Sequence, residues 1–260
     1  MKKNEPDAAR QPAVAGMFYP AKANELAKIV DSFLAKIPGR KFPGKLMAFV
    51  SPHAGYIYSG IVAASAFSLL KGLDRKKEWK IILLGPAHQV HLQGAAASGS
   101  KSWETPLGRV ETTESGLPVS REAHAREHSI EVQIPFLQRT LKKFKITPIV
   151  FGEIDAKALA EMLIPLIDSG TIIIASSDLS HYYPYEQALK LDATANASVP
   201  ALDIKGAEHC EACGLTGILA LMHIAKKMKW KGEFLDYKNS GDTAGDMRQV
   251  VGYGAYAFYG

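Results

Sequence analysis

Three histidines in this sequence stand just past segments that read as β-strands, and that placement is the first chemical signal in the chain. Leu46–Val50 runs into Ser51-Pro52-His53, and Trp79–Leu84 runs into Gly85-Pro86-Ala87-His88. Thr171–Ala175 runs into Ser176-Ser177-Asp178-Leu179-Ser180-His181. In open α/β sheets ligands bind outside the carboxyl ends of the strands, so loops that carry histidines to one rim can build a metal or acid–base site. Neutral imidazole is the commonest protein ligand for divalent first-row metals. Two imidazoles and a carboxylate form the facial set that holds ferrous iron and leaves positions open for substrate and oxygen. His53 and His88 are the expected nitrogen ligands. Asp242, in Ser240-Gly241-Asp242, is the candidate carboxylate, with Asp246 a weaker competitor in the same loop. An ordinary turn aspartate is the alternative reading of Asp242.

Asp178 and His181 are three residues apart, so a short helix would put both on one face. His181 is then expected to act as an acid or base beside the metal, with Asp178 setting its orientation or tautomer. His128 and Glu131 share the same spacing at the start of an amphipathic stretch; they point into the cleft or form a surface ion pair. Together with Tyr56, at the end of the His53 loop, they are assigned to the substrate pocket. Cys210 and Cys213 lack the second pair that a structural zinc site needs. They also lack the preceding strand of a thioredoxin-like redox unit, and Cys213-Gly214 reads as packing at the start of the last apolar helix. The sequence contains no Gly-x-Ser-x-Gly, no Walker loop and no Gly-x-Gly-x-x-Gly after a strand, which removes the common nucleophile and nucleotide signatures.

Elements that could position these residues follow from hydrophobic periodicity. Apolar runs of strand length (Leu46–Val50, Trp79–Leu84, Ile146–Phe151 and Thr171–Ala175) alternate with amphipathic stretches of helix length. The expected helices are Glu25–Ile37, Gly60–Leu70, Ile130–Lys143, Ala156–Asp168, Tyr185–Leu202 and Gly214–Lys227. This is the pattern of strands joined by crossover helices. Gly94–Thr112 reads as a β excursion turning at Pro106-Leu107-Gly108. Glu233–Lys238 and Val250–Tyr259 read as an antiparallel pair around a loop rich in turn residues. No linker or repeat divides the 260 residues. The expected fold is therefore one α/β domain with a mixed, mostly parallel central sheet flanked by helices, and residues 1–11 form a flexible tail.

The composition, 47% hydrophobic and 22% charged, is that of a globular protein. The net charge of +5 is scattered, its clusters no longer than Arg75-Lys76-Lys77, so it reads as solubility and no nucleic-acid partner is expected. No secretory signal and no run of eighteen apolar residues is evident. A cytoplasmic protein without a membrane partner is expected.

Several of these segments together resemble one known family. They are Pro12-Ala-Val-Ala-Gly-Met-Phe-Tyr-Pro20, Ser51-Pro-His-Ala-Gly-Tyr-Ile-Tyr-Ser-Gly60, Leu84-Gly-Pro-Ala-His88, Glu127-His-Ser-Ile-Glu-Val-Gln133, Ser176-Ser-Asp-Leu-Ser-His181 and Ser240-Gly-Asp242. In this order they resemble the Memo family, whose prokaryotic members are called AmmeMemoRadiSam system protein B. The resemblance implies a fold related to class III extradiol dioxygenases, ferrous enzymes that cleave aromatic rings. It matches His53 and His88 to metal ligands, and Asp178 and His181 to pocket residues, His181 standing where the dioxygenases carry their acid–base histidine. Asp242 falls near the third ligand position, a cysteine in eukaryotic members and a glutamate in the dioxygenases; no cysteine is read at that place here. Fe(II) is the implied cofactor, with zinc or copper as alternatives. The implied function is an oxygen-dependent oxidoreductase acting on a small aromatic or related substrate. A non-catalytic adaptor that binds metal or peptide and works with radical SAM and AMMECR-type proteins is the alternative, and a zinc hydrolase is a third. Fold kinship alone does not transmit activity.

Overall fold

Consecutive rather than alternate positions of the central strands are apolar, as in Ile81-Ile82-Leu83-Leu84 and Ile172-Ile173-Ile174, which is the mark of strands covered on both faces. In the computed structural model, which describes residues 9–40 and 44–260, these segments are the middle of an eight-stranded sheet. The strands are β1 (Leu46–Ser51), β2 (Trp79–Pro86), β3 (Ala95–Ala97), β4 (Ser102–Thr105), β5 (Gly108–Glu111), β6 (Phe144–Phe151), β7 (Thr171–Ser176), β8 (His181–Tyr183), β9 (Lys231–Asn239) and β10 (Val250–Tyr259). The helices are α1 (Ala23–Lys36), α2 (Tyr56–Phe67), α3 (Arg121–Ala125), α4 (Ile134–Thr140), α5 (Ala156–Leu163), α6 (Tyr185–Ala201), α7 (Ile204–Ala207), α8 (Leu215–Lys227) and α9 (Ser240–Ala244).

The sheet runs β3-β6-β2-β7-β1-β10, with β8 and β9 also paired to β10. Strands β6, β2, β7 and β1 are parallel, while β3, β8, β9 and β10 join antiparallel. The fold is thus one α/β domain with a mixed sheet and a parallel centre, as the alternation of elements predicts. β4 and β5 form a separate hairpin within the expected β excursion. Phe49, Ile81, Leu83, Ile172 and Ile174 face one core with α1, α2 and α4. Ala48, Val50, Ile82, Leu84, Ile173 and Ala175 face the other, with α5, α6 and α8. Period-two side-chain direction therefore divides each apolar run between two cores.

Helix boundaries depart from the expected ones where proline or a side-chain cap intervenes. Residues 130–143 do not form one helix; a 3₁₀ turn, Glu131–Gln133, leads into α4, which has Pro135 in its first turn. Proline there loses no intrahelical bond and favours a fresh start. α5 stops at Leu163 and continues only as the 3₁₀ turn Ile164–Leu166, which contains Pro165. α2 begins four residues before the expected Gly60; that glycine lies inside the helix because a Cβ there would come within 2.5 Å of the Phe33 ring. Residues 1–8 of the expected tail lie outside the described residues, but Arg10 is buried and belongs to the fold. Among the described residues no helix is long and apolar enough to cross a membrane.

The strand order decides what can meet. β7 lies between β2 and β1, so the three loops that carry the histidines and Asp178 leave the sheet side by side at its carboxyl end, where ligands bind in such folds.

Candidate metal centre

His53 follows β1 and is 2% exposed. His88 follows β2, and His128 precedes the turn that leads into α4. One ring nitrogen from each lies within 4.8 Å of the others. The ring centroids are 5.2 Å apart for His53–His88, 5.4 Å for His53–His128 and 4.8 Å for His88–His128.

Hydrogen bonding dictates which nitrogen of His53 and of His88 is free. Ser176 Oγ donates its single proton to Ser129 O at 2.6 Å and accepts from Gln133 Nε2 at 2.7 Å. His53 Nδ1, 2.9 Å from that oxygen, must therefore carry the proton, which leaves Nε2 with a bare lone pair. Glu127 does the same for His88 and lies beside His128. Its Oε1 accepts from His88 Nδ1 at 3.0 Å and from the N–H groups of His128 and Ser129 at 2.8 and 2.9 Å. His128 Nδ1 lies 3.3 Å from the same oxygen, and Oε2 accepts from His88 N at 2.5 Å. Burial would raise the Glu127 carboxyl, but the bonds and charge of His88 and the backbone donors outweigh it and hold it at about 2. An ionised carboxylate can only accept, so His88 Nδ1 donates to it; His128 Nδ1 faces the same oxygen as a close polar contact without a hydrogen bond. Burial, reinforced by the neighbouring imidazoles, also keeps His53 well below the ordinary histidine value. Burial lowers His128 too. Neutral rings with one nitrogen anchored to a serine or carboxylate are the arrangement that orients imidazole toward a metal.

The three rings open on a cavity of about 800 Å³, whose lining includes His181, Asp178 and Cys213 and the aromatic side chains Phe18, Tyr58, Tyr182 and Tyr253. The sequence matches the Memo-like protein family over residues 10–257. It is 35% identical over 279 residues to a MEMO1 family protein of Sulfurisphaera tokodaii, covering 94% of this chain and 97% of the relative. Similar relatives are MEMO1 family proteins of Methanopyrus kandleri (36% over 280 residues; 96% and 98% covered) and Sulfolobus acidocaldarius (38% over 277; 94% and 97%). The chain belongs to the Memo family.

Within this Memo fold the other sequence-derived candidates fall in different places. His181 is in β8 and lines the cavity; its backbone N–H donates to Glu211 Oε1 at 3.2 Å, and burial lowers its ring below the ordinary value. Asp178 and His181 do not share a helical face, because residues 177–180 are irregular and β8 follows directly. Asp178 instead accepts from His53 N at 2.7 Å and from Ala54 N, so it holds the His53 loop; burial raises it to about 7. Asp242 is not in the cluster. Its Oδ2 accepts from Asn239 N at 2.9 Å in a capping box that starts α9, and its Oδ1 accepts from Tyr185 OH at 2.8 Å. Asp246 reaches the cavity rim but is paired with Arg248. Tyr56 is buried, with its hydroxyl on Val132 O at 2.7 Å. Glu131 is fully buried and bonded to the segment containing Arg10 and Tyr19. Neither lines the cavity.

Sequence reasoning placed His128 in the pocket without making it a ligand, and it missed Glu127, Ser176 and Cys213. The Cys213 thiol lies 3.2 Å from His53 Nε2, and burial raises it to about 12, so the metal-free thiol keeps its proton and donates to that nitrogen. No cysteine stands in the C-terminal loop, as read from the sequence; the thiol beside His53 comes instead from the turn before α8. Gly214 was the available signal. A Cβ there would lie 2.5 Å from Ser176 O, so only glycine lets the Cys213 turn press onto the end of β7. Cys210 points elsewhere, its thiol near Gly206 O, and both cysteines are free.

Two outcomes follow. Glu127→Gln lowers zinc or cobalt affinity by about 10–100-fold, as loss of an orienting partner does, whereas Asp242→Ala costs roughly 1 kcal/mol of stability, as loss of a capping-box hydrogen bond does, with metal affinity unchanged; metal titration and urea unfolding of both variants check this. The second concerns His124, which is buried against Trp103 with Nε2 on Ala96 O at 3.0 Å and is held by burial at about 4. Its folded value is depressed, so the unfolded chain takes the proton first. Its contribution is complete above the ordinary histidine value of about 6.5 and is lost progressively as pH falls toward about 4. The urea midpoint of metal-free protein therefore drops across that window, and His124→Gln flattens the drop.

Proposed function

We propose that this Memo protein is a mononuclear metal-dependent enzyme, an oxygen-dependent oxidoreductase acting on a small aromatic or related substrate. The observation that carries the reading is the convergence of three imidazoles, one ring nitrogen of each within 4.8 Å of the others, on a cavity that also holds His181. The donor set fits a transition metal: His53, His88 and His128 would hold it, with the Cys213 thiol beside His53 as a further soft donor. Resemblance to ferrous ring-cleavage enzymes favours iron. An all-imidazole set equally suits zinc and copper, and the aspartate that would have completed a two-histidine, one-carboxylate set caps α9 instead. A bound redox metal would supply Lewis acidity and electron exchange with oxygen.

The chain's own residues supply the rest. Phe18, Tyr58, Tyr182 and Tyr253 form walls for a planar ligand. His181 stands outside the ligand cluster and faces the same space, and burial lowers its pKa and so favours the neutral ring, which suits a base that takes a proton from a substrate hydroxyl and later returns it. Asp178 keeps the His53 loop in register. The adaptor reading with radical SAM and AMMECR-type partners in the cytoplasm is favoured by one feature. Met17, Ile57, Tyr58, Tyr182 and Met247 are exposed large apolar side chains at or next to cavity-lining positions, a setting typical of interaction surfaces.

Metal analysis of protein purified without oxygen is the test. About one transition metal per chain is expected, and each of His53→Ala, His88→Ala and His128→Ala should lose it. His181→Ala should keep the metal and lose oxygen consumption on a phenolic substrate. Full metal content in the three ligand variants would refute the site, and full turnover in His181→Ala would remove that residue from the chemistry. Stoichiometric metal with no turnover on any substrate would favour the adaptor.

A further inference from the structure

Glu131 lies three residues beyond His128, fully buried, and points away from the cavity. Its carboxylate is closed in by donors from one short stretch of chain. They are the Arg10 guanidinium, Ala13 N at 2.8 Å, Val14 N at 3.0 Å and Tyr19 OH at 2.5 Å. Residues 10–20 therefore form a strap wrapped around a single carboxylate. Arg10 strengthens the clasp, donating to His124 O at 3.1 Å and Glu127 O at 2.6 Å and lying 4.2 Å over the Trp103 ring. A buried carboxylate with this many donors is stable, whereas removing its charge would strand a buried guanidinium.

The other side of the strap carries Phe18 into the metal cavity. Its ring lies 4.8 Å from the His128 ring at a tilt of 55°. Its carbonyl accepts from Tyr56 N at 2.8 Å, where the His53 loop enters α2. Phe18 thus touches the supports of two ligands. His128 is the ring that needs it. His53 and His88 are anchored through Nδ1 at 2.9 and 3.0 Å, but His128 Nδ1 is 3.3 Å from a carboxylate oxygen that already accepts three other protons.

We propose that Glu131 is a positioning residue of the metal centre: by clasping the strap at Arg10–Tyr19 it seats Phe18 against His128 and fixes the third imidazole. This rests on the metal-centre reading above. Because the strap and the metal both act on His128, they are thermodynamically linked, and metal binding must strengthen strap docking by the factor by which the docked strap strengthens metal binding.

Cobalt(II) titration of the full chain, followed by its visible spectrum, tests this together with amide hydrogen exchange of residues 13–19. Glu131→Gln and Phe18→Leu should each weaken cobalt binding by at least about 10-fold and alter the spectrum of the loaded site. In the wild type, cobalt should slow exchange in the strap. Leu137→Ala, a buried α4 position outside the strap and the cavity, loses stability but should keep wild-type cobalt affinity, which separates positioning from general destabilisation. If Glu131→Gln fails to fold, Phe18→Leu decides, because it leaves the clasp intact. Wild-type affinity and spectrum in a folded Phe18→Leu, or strap exchange indifferent to cobalt, would overturn the proposal while leaving the metal centre standing. A wild-type chain that binds no cobalt would overturn both.

Discussion

Ser176 and Glu127 determine which nitrogen of His53 and of His88 carries its proton, and the surrounding structure holds these two acceptors in place. Ser176 can take the His53 proton only because its own proton goes to Ser129 O and its other lone pair to Gln133. Glu127 can accept from His88 because that bond, with the backbone donors around it, keeps the carboxylate ionised although it is buried. Without these commitments the adjacent imidazoles of His53 and His88 would exchange tautomers, and their lone pairs would not share a focus.

The fold provides that order at the cost of burying several carboxyl groups. Glu127, Glu131 and Asp178 lie at or near the carboxyl end of the sheet, each nearly or fully buried, and an unpartnered carboxylate in such a position is strongly destabilising. Each is met by donors from a different place. Glu127 binds its own turn, Asp178 binds the His53 loop, and Glu131 binds the N-terminal strap. The site is therefore held by contacts between chain segments far apart in sequence, on a scaffold whose apolar strands are covered on both faces.

Much of this was legible before the structure. Apolar runs bounded by turn residues mark a strand strongly, and β1, β2, β6 and β7 fall where periodicity places them, which puts His53 and His88 on one rim. Helix ends were less legible, since Pro135 and Pro165 start or stop helices inside continuous amphipathic patterns. Asp242 was misread because the aspartate of a Ser-Gly-Asp turn has the same local sequence whether it binds a metal or caps a helix. Glu131 and Tyr56 were misassigned because their direction depends on a strap more than a hundred residues away in the first case and on the α4 turn in the second. Cys213 was hidden by its pairing in sequence with Cys210, which suggested redox or packing roles, while its actual neighbour is His53, 160 residues distant.

The most direct test is nitrogen-15 NMR of the histidine side chains in metal-free protein at neutral pH, followed by addition of zinc. Neutral rings protonated on Nδ1 are predicted for His53, His88 and His128, with all three Nε2 resonances moving together as zinc binds. An Nε2-protonated tautomer or a charged ring at any of the three, or a zinc-induced shift confined to one of them, would contradict the shared focus on which this account rests.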